Sequence, residues 1–158
     1  MRHALAAFLL LAATTAASAQ SAAPPAGLPA GPSGVTFLKS SGVLPANLPF
    51  SEGVAVGGLV LLSGQIGNRP GTLTLNNATL DDEFKQVMDN VMGTLTANGL
   101  GPKNVVKCLV MLADMKDWPA FNKVYATYFE APYPARSAFG ANGLAAGAKA
   151  EVECMAAR

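Results

Sequence analysis

Phe84, Val87, Met88, Val91, Met92 and Leu95 recur at the i, i+3, i+4, i+7, i+8, i+11 spacing of one helical stripe. This pattern constrains the fold more than any other feature of the chain, because a helix apolar on one side only must lie against something else. The spacing predicts a helix over residues 79–98, with Thr79 as N-cap, Asp81 to Glu83 at the positive end of its dipole and Gly99 just past its end. A second helix, opened by Asp117 and closed before Pro132 and Pro134, carries Phe121, Val124, Tyr125, Tyr128 and Phe129 on one face. These aromatics read as core or interface rather than as a platform for stacking bases.

Strands fill the gaps between the helices. Residues 54–56 and 59–62 flank Gly57-Gly58 and read as a tight hairpin. Val105 to Leu112 is an apolar, β-branched run, and residues 136–141 and 148–156 read as closing strands. In the last of these, Ala148, Ala150, Val152, Cys154 and Ala156 alternate with Lys149, Glu151, Glu153 and Met155. The order β-β-α-β-α-β-β describes an α/β sandwich, a mixed sheet with two helices on one face. The other sheet face then needs a cover, and another copy of the chain is the simplest one.

The N-terminus differs from the rest. Arg2 followed by the apolar run Leu5 to Ala13 and by Ala17-Ser18-Ala19 has the form of an export signal, residues 1–19, cut before Gln20. The run is too short to span a bilayer. Residues 20–34, with Pro24, Pro25, Pro29 and Pro32, read as a Pro/Ala-rich tether, leaving residues 35–158 as one domain. The expectation is a periplasmic protein, with no membrane contact after the signal is removed.

That cut also removes His3, the chain's one histidine. Ser-His-Asp and Cys-His catalysis, His-ligated metals and two-histidine ribonuclease chemistry are thereby excluded. Ten cations then face ten anions, so recognition of nucleic acid through phosphate charge is disfavoured. No Gly-x-Gly-x-x-Gly, Walker or Cys-x-x-Cys motif is present. Cys108 and Cys154 read first as two small buried hydrophobes; a disulfide requires that their strands bring the α-carbons within range.

Few residues remain that carry chemistry. Arg136 follows Pro134-Ala135 at the start of a strand, where it is either a fixed fork for a carboxylate or half of a surface ion pair. Glu151 and Glu153 share one strand face, either as a solvated edge pair or with one carboxylate acting as a general base on water. Ser63-Gly64-Gln65 ends an apolar strand with residues small enough for close approach of a ligand or a neighbouring backbone.

Five stretches resemble, in order and spacing, the RidA (YjgF, L-PSP) family over about residues 46–158. They are Leu62-Ser63-Gly64-Gln65-Ile66-Gly67; Asn104-Val105-Val106-Lys107 with Leu112-Ala113-Asp114; the helix with Phe121-Asn122 and Tyr125; Pro134-Ala135-Arg136-Ser137; and Ala150-Glu151-Val152-Glu153. The resemblance implies a chorismate-mutase-like fold, a homotrimer with sheets inward, and clefts between subunits where reactive enamines and imines such as 2-aminoacrylate are hydrolysed to 2-oxo acids and ammonia without a cofactor or metal. It implies that Arg136 binds the substrate carboxylate and Glu151 positions the water, with Ser63, Gly64, Asn122 and backbone groups beside Ala138 lining the site. Phe50 stands where members often carry tyrosine, and Ala138 where many carry cysteine. A non-catalytic metabolite-binding or chaperone-like role and, less favoured, a ribonuclease are the alternatives.

Overall fold

The computed structural model describes residues 34–158. The expected export signal, residues 1–19, and all but the last residue of the expected tether, residues 20–34, lie outside the described residues. Among the described residues, seven strands form one sheet: β1 Val35–Phe37, β2 Gly53–Val56, β3 Leu59–Leu62, β4 Gln65–Ile66, β5 Val105–Leu112, β6 Ala135–Gly140 and β7 Ala150–Ala157. Two helices, α1 Leu80–Ala97 and α2 Trp118–Ala126, lie on one side of it. The sheet order is β1-β2-β3-β7-β5-β6, with β4 also paired to β7. All pairings are antiparallel except β5 with β6.

The expected hairpin is β2 and β3, turning at Gly57, whose φ of 58° suits a residue without Cβ. Thr79 caps α1, its Oγ1 accepting from the Asp82 amide at 3.1 Å. Asp117 does not cap α2 through its side chain; a 3-10 turn over Met115–Asp117 precedes the helix, and Asp114 caps that turn. α2 ends at Ala126, earlier than its aromatic pattern suggests, and Thr127 and Tyr128 fold back through turn bonds to Val124 and Tyr125.

The alternation of β7 divides the two sheet faces. Ala150, Val152, Cys154 and Ala156 are buried beneath the helices, as are their neighbours Cys108, Val110 and Leu112 on β5 and Val60 on β3. Phe84 of α1 meets Phe121 of α2 edge-on, ring centroids 5.2 Å apart, and joins the two helices over this core. Cys108 and Cys154 sit directly opposite each other, Cα atoms 4.1 Å apart, and are bonded as a disulfide. The reading as two separate hydrophobes is therefore corrected: antiparallel pairing of β5 with β7, which local sequence does not reveal, supplies the proximity.

Among the described residues, no helix covers the opposite face. Val54, Val56, Leu59, Leu61, Leu109, Met111, Phe139 and Met155 share it with Glu151 and Glu153. Val56, Leu59 and Phe139 are exposed there. Burying such residues is favourable at about 25 cal/mol per Å² of apolar surface, so the face is suited to an apolar cover.

Candidate functional site

The site begins at an irregularity between β3 and β4. Leu61 pairs with Met155, but Gln65 pairs with Val152 rather than one residue earlier, so one extra residue is accommodated at Ser63-Gly64. This β-bulge interrupts the ladder and re-aims the chain. It also explains why β4 is not evident from alternation: Gln65 faces the apolar side and is completely buried, with its Oε1 unpaired.

Glu151 lies across the bulge. A Cβ on Gly64 would overlap its Oε1 and come within 2.9 Å of Cδ and 3.1 Å of Cγ. Only glycine leaves room for the carboxyl here. Burial, and then the neighbouring charge of Glu153, raise the Glu151 carboxyl above its ordinary value. Ser63 and Phe50 approach the same end of β3. The Ser63 hydroxyl donates to the Ser51 carbonyl at 2.6 Å, and its amide donates to the Glu52 carbonyl. Glu52, itself buried, accepts from the Ser40 hydroxyl and from the amide and hydroxyl of Ser41. These bonds hold Phe50, 52% exposed, at the wall of a groove of about 550 Å³ formed with Phe37, Leu44 and Leu48.

Two buried polar residues of α1 brace this half of the site, and periodicity does not single them out. Glu83 accepts from the Lys149 amide, two residues before Glu151. The Asn90 amide donates to the Ile66 carbonyl at 2.8 Å. Both are about 1% exposed. Glu83 also serves the helix dipole, and that role conceals the second one; the available signal was a carboxylate four residues before Val87 on the buried stripe.

Arg136 belongs to a second cluster. It pairs with Cys108 across β5–β6, so its side chain leaves the sheet on the helix side. Its guanidinium carbon lies 4.5 Å from the Tyr125 ring centroid and 5.1 Å from that of Trp118. Trp118, Asn122 and Tyr125 follow the i, i+4, i+7 spacing of one face of α2, which places Asn122 between the two rings. Ala138 lies on the same face of β6 as Arg136, one strand repeat further on. The ion pairs among the described residues are Lys85–Asp81 and Lys116–Asp114, so neither Arg136 nor Glu151 is neutralised by an oppositely charged partner among those residues.

The residues expected to act together thus form two half-sites. Phe50, Ser63, Gly64 and Glu151 gather at the β3–β4 bulge, with Glu151 on the open face of the sheet. Arg136, Asn122 and Ala138 gather on the helix side at the β6 edge. A single chain does not bring the arginine to the glutamate, since the alternation of β6 and β7 sends them to opposite faces. No group of three or more His, Cys, Asp or Glu side chains among the described residues is arranged to hold a metal ion.

Residues 42–158 match the profile of the family described as Endoribonuclease L-PSP. The chain belongs to the L-PSP (RidA) family. It is 40% identical over 108 residues to Reactive Intermediate Deaminase A, chloroplastic, of Arabidopsis thaliana, covering 68% of this chain and 58% of the plant protein. The mouse (Mus musculus) 2-iminobutanoate/2-iminopropanoate deaminase is 38% identical over 108 residues, covering 68% of this chain and 80% of that one. Among solved structures, RidA from an Antarctic Psychrobacter superposes with a TM-score of 0.72 at 30% identity, covering 78% of this chain and 99% of that one. TdcF of E. coli with bound serine superposes equally well, also at 30% identity, covering 78% and 98%. The fold is that of the L-PSP/RidA proteins, and the plant and mouse relatives are both named as deaminases, the mouse one of 2-iminobutanoate and 2-iminopropanoate.

Proposed function

We propose that the protein hydrolyses 2-imino acids and their enamine tautomers to 2-oxo acids and ammonia, at a site completed between copies of the chain. The observation that carries this reading is the Glu151 carboxyl laid over Gly64: half-buried, unpaired by any cation among the described residues, and held where a side chain at position 64 would expel it. Such a carboxylate can take a proton from water at a bound electrophile.

The chemistry asks for little else. The guanidinium of Arg136 binds the substrate carboxylate through two parallel hydrogen bonds and so orients the C=N carbon. Water attacks that carbon as Glu151 accepts its proton, and the C=N π pair moves to nitrogen. Return of that proton to nitrogen gives the neutral carbinolamine; Glu151 then moves the proton of its hydroxyl to the amino nitrogen, and the oxygen's pair forms the C=O of the oxo acid as the C–N bond breaks and ammonia leaves. Orientation together with one general base, worth about 10²- to 10⁴-fold, supplies the rate without a cofactor. That E. coli TdcF holds serine, itself a 2-amino acid, supports a carboxylate-bearing ligand.

Because the two half-sites lie on opposite faces of the sheet, the site requires the β6 edge of one copy against the bulge of another. A cyclic homotrimer with sheets inward covers the apolar face and meets this requirement. The seven residues implied by the resemblance divide between the two sides as described: Phe50, Ser63, Gly64 and Glu151 from one subunit, Arg136, Asn122 and Ala138 from the next. A ribonuclease role has little support, with equal numbers of cations and anions after residue 19. We also propose export to the periplasm with cleavage before Gln20. The Cys108–Cys154 disulfide supports an oxidising compartment; intact mass of the exported protein tests the cleavage site.

The test is ammonia release from a panel of imino acids generated by an amino-acid oxidase. Arg136→Ala should abolish acceleration. Saturable binding of 2-oxo acids with no acceleration of any imine would favour the non-catalytic alternative.

A further inference from the structure

Trp118 is the chain's only tryptophan. It is half-buried at the start of α2, one face of which also carries Tyr125, and both rings lie beside the same cation. Tyr125 is 4% exposed, and its hydroxyl is buried with no hydrogen-bond partner among the described residues. A tyrosine placed for its hydroxyl is expected to have that hydroxyl satisfied when buried. What this one offers is its ring, which is fixed in turn: Phe121 lies 6.0 Å and Phe129 4.8 Å from it, centroid to centroid, and Phe121 is locked against Phe84.

Arg136 therefore rests on a rigid aromatic bed instead of on a carboxylate. A counter-carboxylate would orient the guanidinium but occupy its donor edge. An aromatic face attracts the cation without consuming an N–H, so the donors stay free for an incoming ligand. We infer that Trp118 and Tyr125 are positioning residues for substrate carboxylate binding, a cation–π cradle that holds the Arg136 fork in one orientation while leaving its edge unpaired. This rests on the reading of Arg136 as the carboxylate's partner.

Cation–π contacts of this kind correspond to about a 2- to 30-fold change in an equilibrium. In the full assembled protein, Trp118→Leu should raise KM for 2-iminobutanoate within that range while kcat stays within about twofold, because the carboxylate contact is made equally in ground and transition states. Tyr125→Leu should do the same, and the Phe variants at both positions should recover most of the lost affinity. Titration with pyruvate should change the fluorescence of Trp118 saturably, and Arg136→Ala should remove that change. Wild-type KM in both Leu variants, with Arg136→Ala inactive, would overturn the cradle and leave the carboxylate reading standing. Equal impairment of the Leu and Phe variants would overturn it too, as would a fall in kcat and melting temperature without a rise in KM, since each indicates packing alone. Full turnover by Arg136→Ala would remove the carboxylate reading itself, and the cradle with it.

Discussion

Gly64→Ala isolates the contact on which catalysis is proposed to depend. The backbone of Gly64 is not in the left-handed region, so alanine is conformationally acceptable there. The conflict lies with the Glu151 side chain. The new Cβ would stand 2.9 Å from Cδ and 3.1 Å from Cγ, and would overlap Oε1. Restoring ordinary contact requires Cδ to retreat by about half an ångström and Oε1 by more, which the flexible end of a glutamate can do by rotating away. Stability should therefore change by less than about 1 kcal/mol. A base displaced by about 1 Å loses about 100-fold in rate. Ammonia release by Gly64→Ala should fall by about that factor, with a melting temperature close to that of the parent. Glu151→Gln should fall at least as far, and the double variant should lose nothing further, since both changes remove one function. Full activity in Gly64→Ala, or losses that multiply in the double variant, would refute the argument that glycine is there to seat the carboxyl.

Four further outcomes follow from the same geometry. Burial and Glu153 raise the Glu151 carboxyl, so the acid limb of kcat/KM should lie above 4.5 and move down in Glu153→Gln; a limb that stays put would remove the Glu153 contribution. A carboxyl whose folded pKa is raised favours the fold most below its unfolded value, and that benefit falls as pH rises through the folded one; in Glu151→Gln this decline should flatten in pH-dependent melting curves. Replacing both Cys108 and Cys154 by alanine should lower stability by about 2–4 kcal/mol in denaturant melts, given the 46-residue separation they close; an unchanged midpoint would show that the bond does not constrain the unfolded chain. Leu109→Lys, in the middle of the open sheet face and opposite Glu153, should convert the proposed trimer to monomer by light scattering and abolish turnover, because the half-sites would part. A monomer that remains fully active would place the whole site within one chain.

Local periodicity made most elements legible. The apolar stripe of α1, the Gly57-Gly58 turn and the alternation of β7 each depend on residues a few positions apart, so they can be read along the chain. The likeness of five short stretches to one family extended that reading to Arg136 and Glu151. β4 was not legible, because two residues after a bulge carry no period and Gln65 contradicts the apolar pattern. Glu83 was legible only as a dipole partner, because its bond to the Lys149 amide joins residues 66 positions apart.

What the sequence by itself determined is which faces are apolar and which residue types stand at the turns; these are consequences of side-chain spacing and backbone preference. Only the tertiary structure decided that β7 lies between β3 and β5. Strand order comes from non-local pairing, where burial of the whole sheet selects among registers that look equivalent along the chain. That insertion places Cys154 opposite Cys108 and brings Glu151 across Gly64. It also leaves Arg136 on the other side of the sheet, in contact with two aromatic rings and without the glutamate it was expected to join.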